Sequence, residues 1–219
     1  PLLLSVKVAF LATLVAGFFG VLIGYLFSRY SFFLREFLDS VFTLPMVLPP
    51  TVIGYYLLVV IGRNGFLGEW LDKVWGINLV FTWQGAVLAA SVVSFPLVYK
   101  SSRSAFEALN IQYRQAAQVL GKSEWSIFAS VSLPLAWRGI LAGCLMAFAR
   151  ALGEFGATLM VAGSLPGRTQ TVSVAIYEAV EMGRDNLANF LVILTSIVCL
   201  AILVGSGHVL KSKYESGRN

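Results

Sequence analysis

Five apolar stretches constrain this chain more than any other feature: residues 5–28, 38–61, 84–99, 137–163 and 187–210, each bounded by charged or turn-forming residues. About 20 apolar residues in a helix cross the hydrocarbon core of a bilayer, and a chain in lipid has to satisfy its backbone N–H and C=O groups internally. The pattern predicts an all-α, polytopic membrane bundle with about five core spans. Only 12% of the 219 residues are charged, against about 25% in soluble domains, which excludes a soluble globular enzyme. The spans leave room for one domain only, residues 1–219, with a long loop at about 101–135 between the third and fourth spans. Cys144 and Cys199 both fall within apolar stretches, so they read as small core residues rather than a disulfide or metal site. Because the chain starts at Pro1, a short preceding piece is expected, and it could hold a further helix.

Lys and Arg assign the two faces, since positive loops stay in the cytoplasm. Arg29, Arg35, Lys100, Arg103, Arg114, Lys122, Arg138, Lys211, Lys213 and Arg218 fall on one set of alternate loops, and only Arg63, Lys73, Arg168 and Arg184 on the other. The N-terminus is therefore expected outside and the C-terminus in the cytoplasm, in an inner (plasma) membrane. That basic inner face accounts for the net charge of +5 and calls for no nucleic acid. The outer connection 62–83 carries Trp70, Trp75 and Trp83, which suits a short helix at headgroup level. A second outer segment, 164–186, mixes apolar and polar residues and reads as a partial helix dipping into the protein.

Two features inside the spans point to a pathway. Pro45, Pro49 and Pro50 lack N–H donors, so the second span has to kink or unwind, and the freed carbonyls survive only against protein or a water-filled cavity. Arg150 and Glu154 stand four apart in the fourth span, which predicts one helix face and an ion pair. The pair can stabilise the bundle, act as a gate, or do both. Gly139, Gly143, Ala147 and Ala151, and likewise Gly20 and Gly24, form small-residue ladders that favour close helix packing. His208, the sole histidine, makes neither a metal site nor a catalytic dyad. The spans also hold no Ser/His, paired-Asp or His/Glu set, which argues against an intramembrane enzyme.

The loop 101–135 is patterned as structure rather than linker. Asn110 can cap a helix running through Leu120, and Gly121 supplies the left-handed residue that ends it. Ser123 then caps a second helix with Glu124 in its first turn, predicted to stop at Leu133-Pro134. A few residues would connect two spans equally well, so a helix, turn, helix platform suggests docking to a cytoplasmic partner. Gly121-Lys122-Ser123 is not the end of a phosphate loop, because position 116 is Ala where that pattern needs Gly. The chain therefore shows no phosphate-binding loop of that kind.

Gln115, Ala116, Ala117, Gly121, Val131, Leu133 and Pro134 stand at the spacing of Glu-Ala-Ala, three residues, Gly, nine residues, Ile-x-Leu-Pro. In this the chain resembles the permease subunits of binding-protein-dependent importers of the ATP-binding-cassette class. It departs by Gln for Glu at 115, which removes a charge that could pair with the ATPase, and by Val for Ile at 131. The resemblance extends to Leu44-Pro45-Met46-Val47-Leu48-Pro49-Pro50-Thr51-Val52-Ile53-Gly54-Tyr55, to Phe148-Ala149-Arg150-Ala151-Leu152-Gly153-Glu154-Phe155-Gly156-Ala157-Thr158, and to Leu165-Pro166-Gly167-Arg168-Thr169-Gln170-Thr171. Together these are most similar to permeases of molybdate importers, with tungstate as a further ion; sulfate and thiosulfate permeases look similar at the last two blocks.

The resemblance implies a type I importer permease fold and a homodimer enclosing one pathway. It also implies two cytoplasmic ATPase subunits that bind ATP and Mg, and a periplasmic or extracellular molybdate-binding protein. The platform would couple to the ATPase, and the prolines with Arg150 and Glu154 would line or gate the pathway. No cofactor and no tight substrate site are expected in this chain. A secondary anion transporter is the rival of a different class; it would lack the platform pattern and carry more intramembrane carboxylates than Glu154.

Overall fold

The computed structural model describes residues 1–211, and side chains for residues 1–202 and 204. The basic residues Lys213 and Arg218 at the C-terminal end, and the side chains of His208 and Lys211, lie outside the described residues. Every regular element among them is helical. In chain order these are α1 (Leu2–Arg29), α2 (Arg35–Thr43), a 3-10 turn (Leu44–Met46), α3 (Pro50–Ile61), α4 (Phe66–Trp75) and α5 (Trp83–Glu107). Then follow α6 (Ile111–Val119), α7 (Glu124–Ile127), a π turn (Phe128–Ser132), α8 (Leu133–Leu152), α9 (Gly156–Ala162), α10 (Val172–Glu181) and α11 (Asp185–Lys211).

Four helical stretches are long and apolar enough to cross a membrane, and a fifth crossing is available if the bent pair Arg35–Met46 and Pro50–Ile61 counts as one. The expected second span is thus sharply broken: the chain bends by 112° between its two limbs. The first limb ends at Met46; Pro49, in extended backbone, is the N-cap of the second, and Pro50 takes the first turn of α3, where a missing N–H costs nothing. The third span departs differently. Predicted to end at Tyr99, it continues as helix to Glu107 and carries Lys100 and Arg103 with it. It also accepts Pro96 in its interior.

α5 is the axis of the bundle, and small residues explain its position. A Cβ on Gly20 would lie 2.9 Å from the Val98 Cβ, and one on Gly143 would lie 2.7 Å from the Ser101 Cβ. α1 and α8 therefore press on neighbouring faces of α5 at backbone distance, as the two ladders predicted. Ala147 and Ala151, further along the α8 ladder, are buried as well. Cys144 and Cys199 are only partly buried, each packed at the edge of an apolar cluster rather than in its centre.

One end of the bundle gathers α4, α10 and the start of α1. The Val172 N–H donates to Ser5 Oγ at 2.7 Å, and Lys7 Nζ lies 3.7 Å from the centroid of the Trp83 ring. α4 and α10 are the two short helices expected in the outer connections. Glu69 and Lys73 pair along α4, and that hydrogen bond holds the exposed Glu69 carboxyl below its ordinary range. The opposite end carries α6, α7 and the π turn, joined to α1 through Arg29 and Glu124.

Candidate functional site

The platform is built as its caps require. Asn110 Oδ1 accepts from the Gln112 N–H at 2.9 Å and starts α6; Gly121, with φ of 73°, ends it. Ser123 Oγ accepts from the Ser126 N–H at 3.3 Å and starts α7. Glu124 then ties the pieces together, accepting from Arg114 at 2.9 Å, Gln118 at 3.0 Å and Arg29 at 3.2 Å.

One expectation for this loop is corrected. The helix does not stop at Leu133-Pro134. α7 runs through the π turn into α8, where the Leu133 N–H bonds the Phe128 carbonyl, and Pro134 occupies the first turn of α8. A wide turn takes up one extra residue, so the chain passes the proline without breaking, and the platform is a direct extension of the fourth span. Ala116 and Ala117 differ in exposure. Ala116 is exposed, whereas Ala117 is buried within the chain's own fold.

Of the other pattern residues, Gln115, Gly121 and Pro134 are exposed, while Val131 and Leu133 are half-buried, Leu133 against the cluster of Phe106, Phe128 and Ala136. The outward surface instead presents Val119, Leu120 and Trp125, at 88%, 78% and 68% exposure. These three were missed in the sequence, although apolar residues in a polar loop are a signal for a docking face.

The second group of predicted residues lies where two helices are interrupted. The expected fourth span is not continuous: α8 ends at Leu152 and α9 begins at Gly156. Glu154 therefore sits in the break and not on the face of Arg150's helix. The ion pair forms nevertheless, with Arg150 Nη1 to Glu154 Oε2 at 2.6 Å. The other carboxylate oxygen accepts from the Ala157 N–H at 2.9 Å, which caps α9. Glu154 is almost fully buried, whereas the Arg150 side chain is 37% exposed.

This break meets the break in the second span. A Cβ on Gly156 would lie 3.1 Å from Pro50 and 3.2 Å from Thr51, and one on Gly54 would lie 2.7 Å from Met160. Pro50 thus belongs to the same junction as Glu154. Pro49 is exposed beside it in sequence, and Pro45 lines a separate apolar cleft between α1, α2 and α5. Sequence spacing could not bring these blocks together, because about a hundred residues separate them.

A further cluster was not anticipated at all. Asp39, within α2, accepts from Tyr99 Oη at 2.5 Å, Arg103 Nη1 at 2.6 Å and Lys100 Nζ at 2.7 Å. Arg35 and Arg103 both reach Glu107, at 3.1 Å and 2.8 Å. No group of His, Cys, Asp and Glu among the described residues is arranged to hold a metal ion.

Comparison with known proteins agrees with this architecture. Residues 16–213 match the family model described as "binding-protein-dependent transport system inner membrane component". The molybdenum transport system permease protein ModB of Escherichia coli (strain K12) is 42% identical over 218 residues, covering 99% of this chain and 95% of that protein. The putative molybdenum transport system permease protein YvgM of Bacillus subtilis (strain 168) is 42% identical over 203 residues, covering 93% and 87%. A probable sulfate transport system permease protein, cysT of Chlorella vulgaris, is 40% identical over 179 residues, covering 82% and 67%. Among solved structures, an inward-facing MetNI methionine ABC transporter superposes with a TM-score of 0.73 over 95% of this chain and 92% of that one. At 13% identity that likeness speaks for the fold alone.

Proposed function

The chain belongs to the family of binding-protein-dependent transport system inner membrane components, and from that premise we propose that it is the permease of an ATP-driven molybdate importer. The observation that carries this reading is the folded platform at residues 110–132 with its exposed Val119, Leu120 and Trp125. A loop that only connected two spans would need neither caps nor an apolar outer surface. The identity to relatives named for molybdenum, over nearly the whole chain, supports the choice of ion.

In this reading two copies of the chain enclose one pathway, two cytoplasmic ATPase subunits grip the two platforms, and an external binding protein delivers the oxyanion. The ATP and Mg belong to the ATPase. The basic end with the platform faces the cytoplasm, and α4 and α10 lie outside. ATP-driven closure draws the platforms together. Since each platform continues through the π turn into α8, its displacement reaches Arg150 at the other end of that helix. Hydrolysis resets the assembly, a shift between two states biased by differential binding. Arg150, paired with Glu154, offers a passing dianion attraction without a trap, because the carboxylate offsets the guanidinium charge.

The test is reconstitution in liposomes with the cognate ATPase and binding protein, measuring ATP hydrolysis and uptake with molybdate or sulfate supplied. Molybdate-selective uptake with this chain as the sole membrane subunit is the expected result. Sulfate uptake, or activity only with a second permease, would move the chain to the sulfate type. Uptake without ATP, driven by an ion gradient, would overturn the importer reading.

A further inference from the structure

The segment between α1 and the prolines is attached to the bundle mainly by polar groups. In α2 and the turn after it, Phe37, Val41, Leu44 and Met46 are all exposed. On its inner side a cleft of about 410 Å³, lined among others by Phe19, Ile23, Val41, Phe42 and Pro45, separates it from α1 and α5. The cleft keeps Val41 and Pro45 from packing directly on α1 and α5, so the chain's own apolar contacts do not clamp the segment there. Phe42 packs well, its ring 5.5 to 5.7 Å from those of Phe27, Phe95 and Tyr99, and Leu48 at the far end rests on the cluster of Ile53, Ala89 and Val93.

Arg35, at the start of the segment, donates to the Phe27 carbonyl at 2.6 Å and to Glu107 at 3.1 Å, and Asp39 supplies the attachment in its middle. Its carboxylate gathers Tyr99, Lys100 and Arg103, which lie on one side of α5 at i, i+1 and i+4. Tyr99 is fully buried, and Arg103 is itself held by Glu107, so the donors are fixed before Asp39 arrives. The segment leads directly to Pro49 and Pro50, and Pro50 touches Gly156 two residues beyond Glu154. Any shift of the segment therefore moves the junction of the two breaks.

We propose that residues 35–48 form a movable strap whose seating on α5 sets the geometry of the junction beside Arg150 and Glu154, with Asp39 as the positioning residue that latches it. The latch stands on the side-chain geometry; its consequence for transport rests on the pathway reading above. The cleft behind Val41 and Pro45 gives the strap room to move when the latch opens.

The experiment uses the full importer in liposomes, with Cys144 and Cys199 replaced by Ser and spin labels at Ser40→Cys and Ser104→Cys, two exposed positions on α2 and α5. Interlabel distance distributions and molybdate taken up per ATP hydrolysed are measured together. The wild-type chain should give a narrow distribution without nucleotide. Asp39→Asn should broaden it and lower uptake per ATP by about fivefold or more, the low end of ordinary coupling energies. Asp39→Glu, which keeps the carboxylate, should recover most of both. An unchanged distribution in Asp39→Asn and in the double variant Lys100→Gln, Arg103→Gln overturns the latch. A broadened distribution with unchanged uptake per ATP overturns the role of the strap in the pathway. Should the wild-type importer carry no oxyanion, the functional reading falls, and the distance comparison still decides the latch.

Discussion

At the scale of single residues, Glu154 does two jobs with two oxygens, pairing with Arg150 and capping α9. Glu154→Gln keeps an acceptor for the Ala157 N–H and loses mainly the charge. Glu154→Leu leaves both partners unsatisfied. We expect the leucine variant to lose about 3 kcal/mol and the glutamine variant about 1 kcal/mol, the partial exposure of Arg150 tempering both. Thermal unfolding in detergent orders the two; equal losses would show that the cap contributes nothing. Ala116 and Ala117 separate in the same way. Ala117→Leu overfills a buried site, at a cost of about 1–3 kcal/mol, and should loosen the platform. Ala116→Leu should leave unfolding unchanged and lower only the stimulation of the ATPase. Identical behaviour of the two variants would mean that burial does not decide their roles.

At the scale of elements, the π turn is the piece that makes platform and α8 one body. Pro134 lacks the N–H that an α-helical turn would need, and Pro134→Ala restores it. The wide turn can then tighten to α-helix and rotate the platform by about one residue, roughly 100°. ATPase stimulation should fall well below that of wild type while abundance in the membrane stays normal; undiminished stimulation would show that the turn does not set the platform's orientation. Packing of α8 on α5 is the other requirement. A side chain at Gly143 meets Ser101 at once, so Gly143→Leu should prevent stable accumulation in the membrane. Gly153→Ala, with open space around its Cβ and only the Ala149 carbonyl within contact at 3.8 Å, should be tolerated.

At the scale of the whole molecule, the distribution of Lys and Arg predicts which end faces the cytoplasm. In a chain without Cys144 and Cys199, Lys73→Cys on α4 should react with a membrane-impermeant maleimide in intact cells. Gln118→Cys on the platform should react only after permeabilisation. The reverse pattern would invert the orientation and with it the assignment of the ATPase side. Both positions are exposed in the fold, so access to reagent reports sidedness rather than burial.

The all-helical spanning architecture, the caps of the platform and the small faces of α1 and α8 were legible in the sequence because each depends on neighbours within a few residues. Apolar length, an Asn or Ser before a helix, a Gly at the turn and glycines four apart are local signals, and the fold realises them. The resemblance carried by residues 115–134 led to the family for the same reason, since its pattern is contiguous. The breaks were half legible: prolines announced the one at Pro49, whereas the one that takes Glu154 out of its helix had only Gly153 and Gly156 as local signs, and glycines are common within membrane helices. Contacts across long separations were not legible at all. Asp39 meets Tyr99, Lys100 and Arg103 from some sixty residues away, and Pro50 meets Gly156 from about a hundred. Charge and spacing along a chain say which partners a residue could take, but the path of the backbone decides which of them come within hydrogen-bonding reach. The tertiary structure alone therefore turned Ala117 inward, joined the two breaks and placed a carboxylate where it holds α2 to α5.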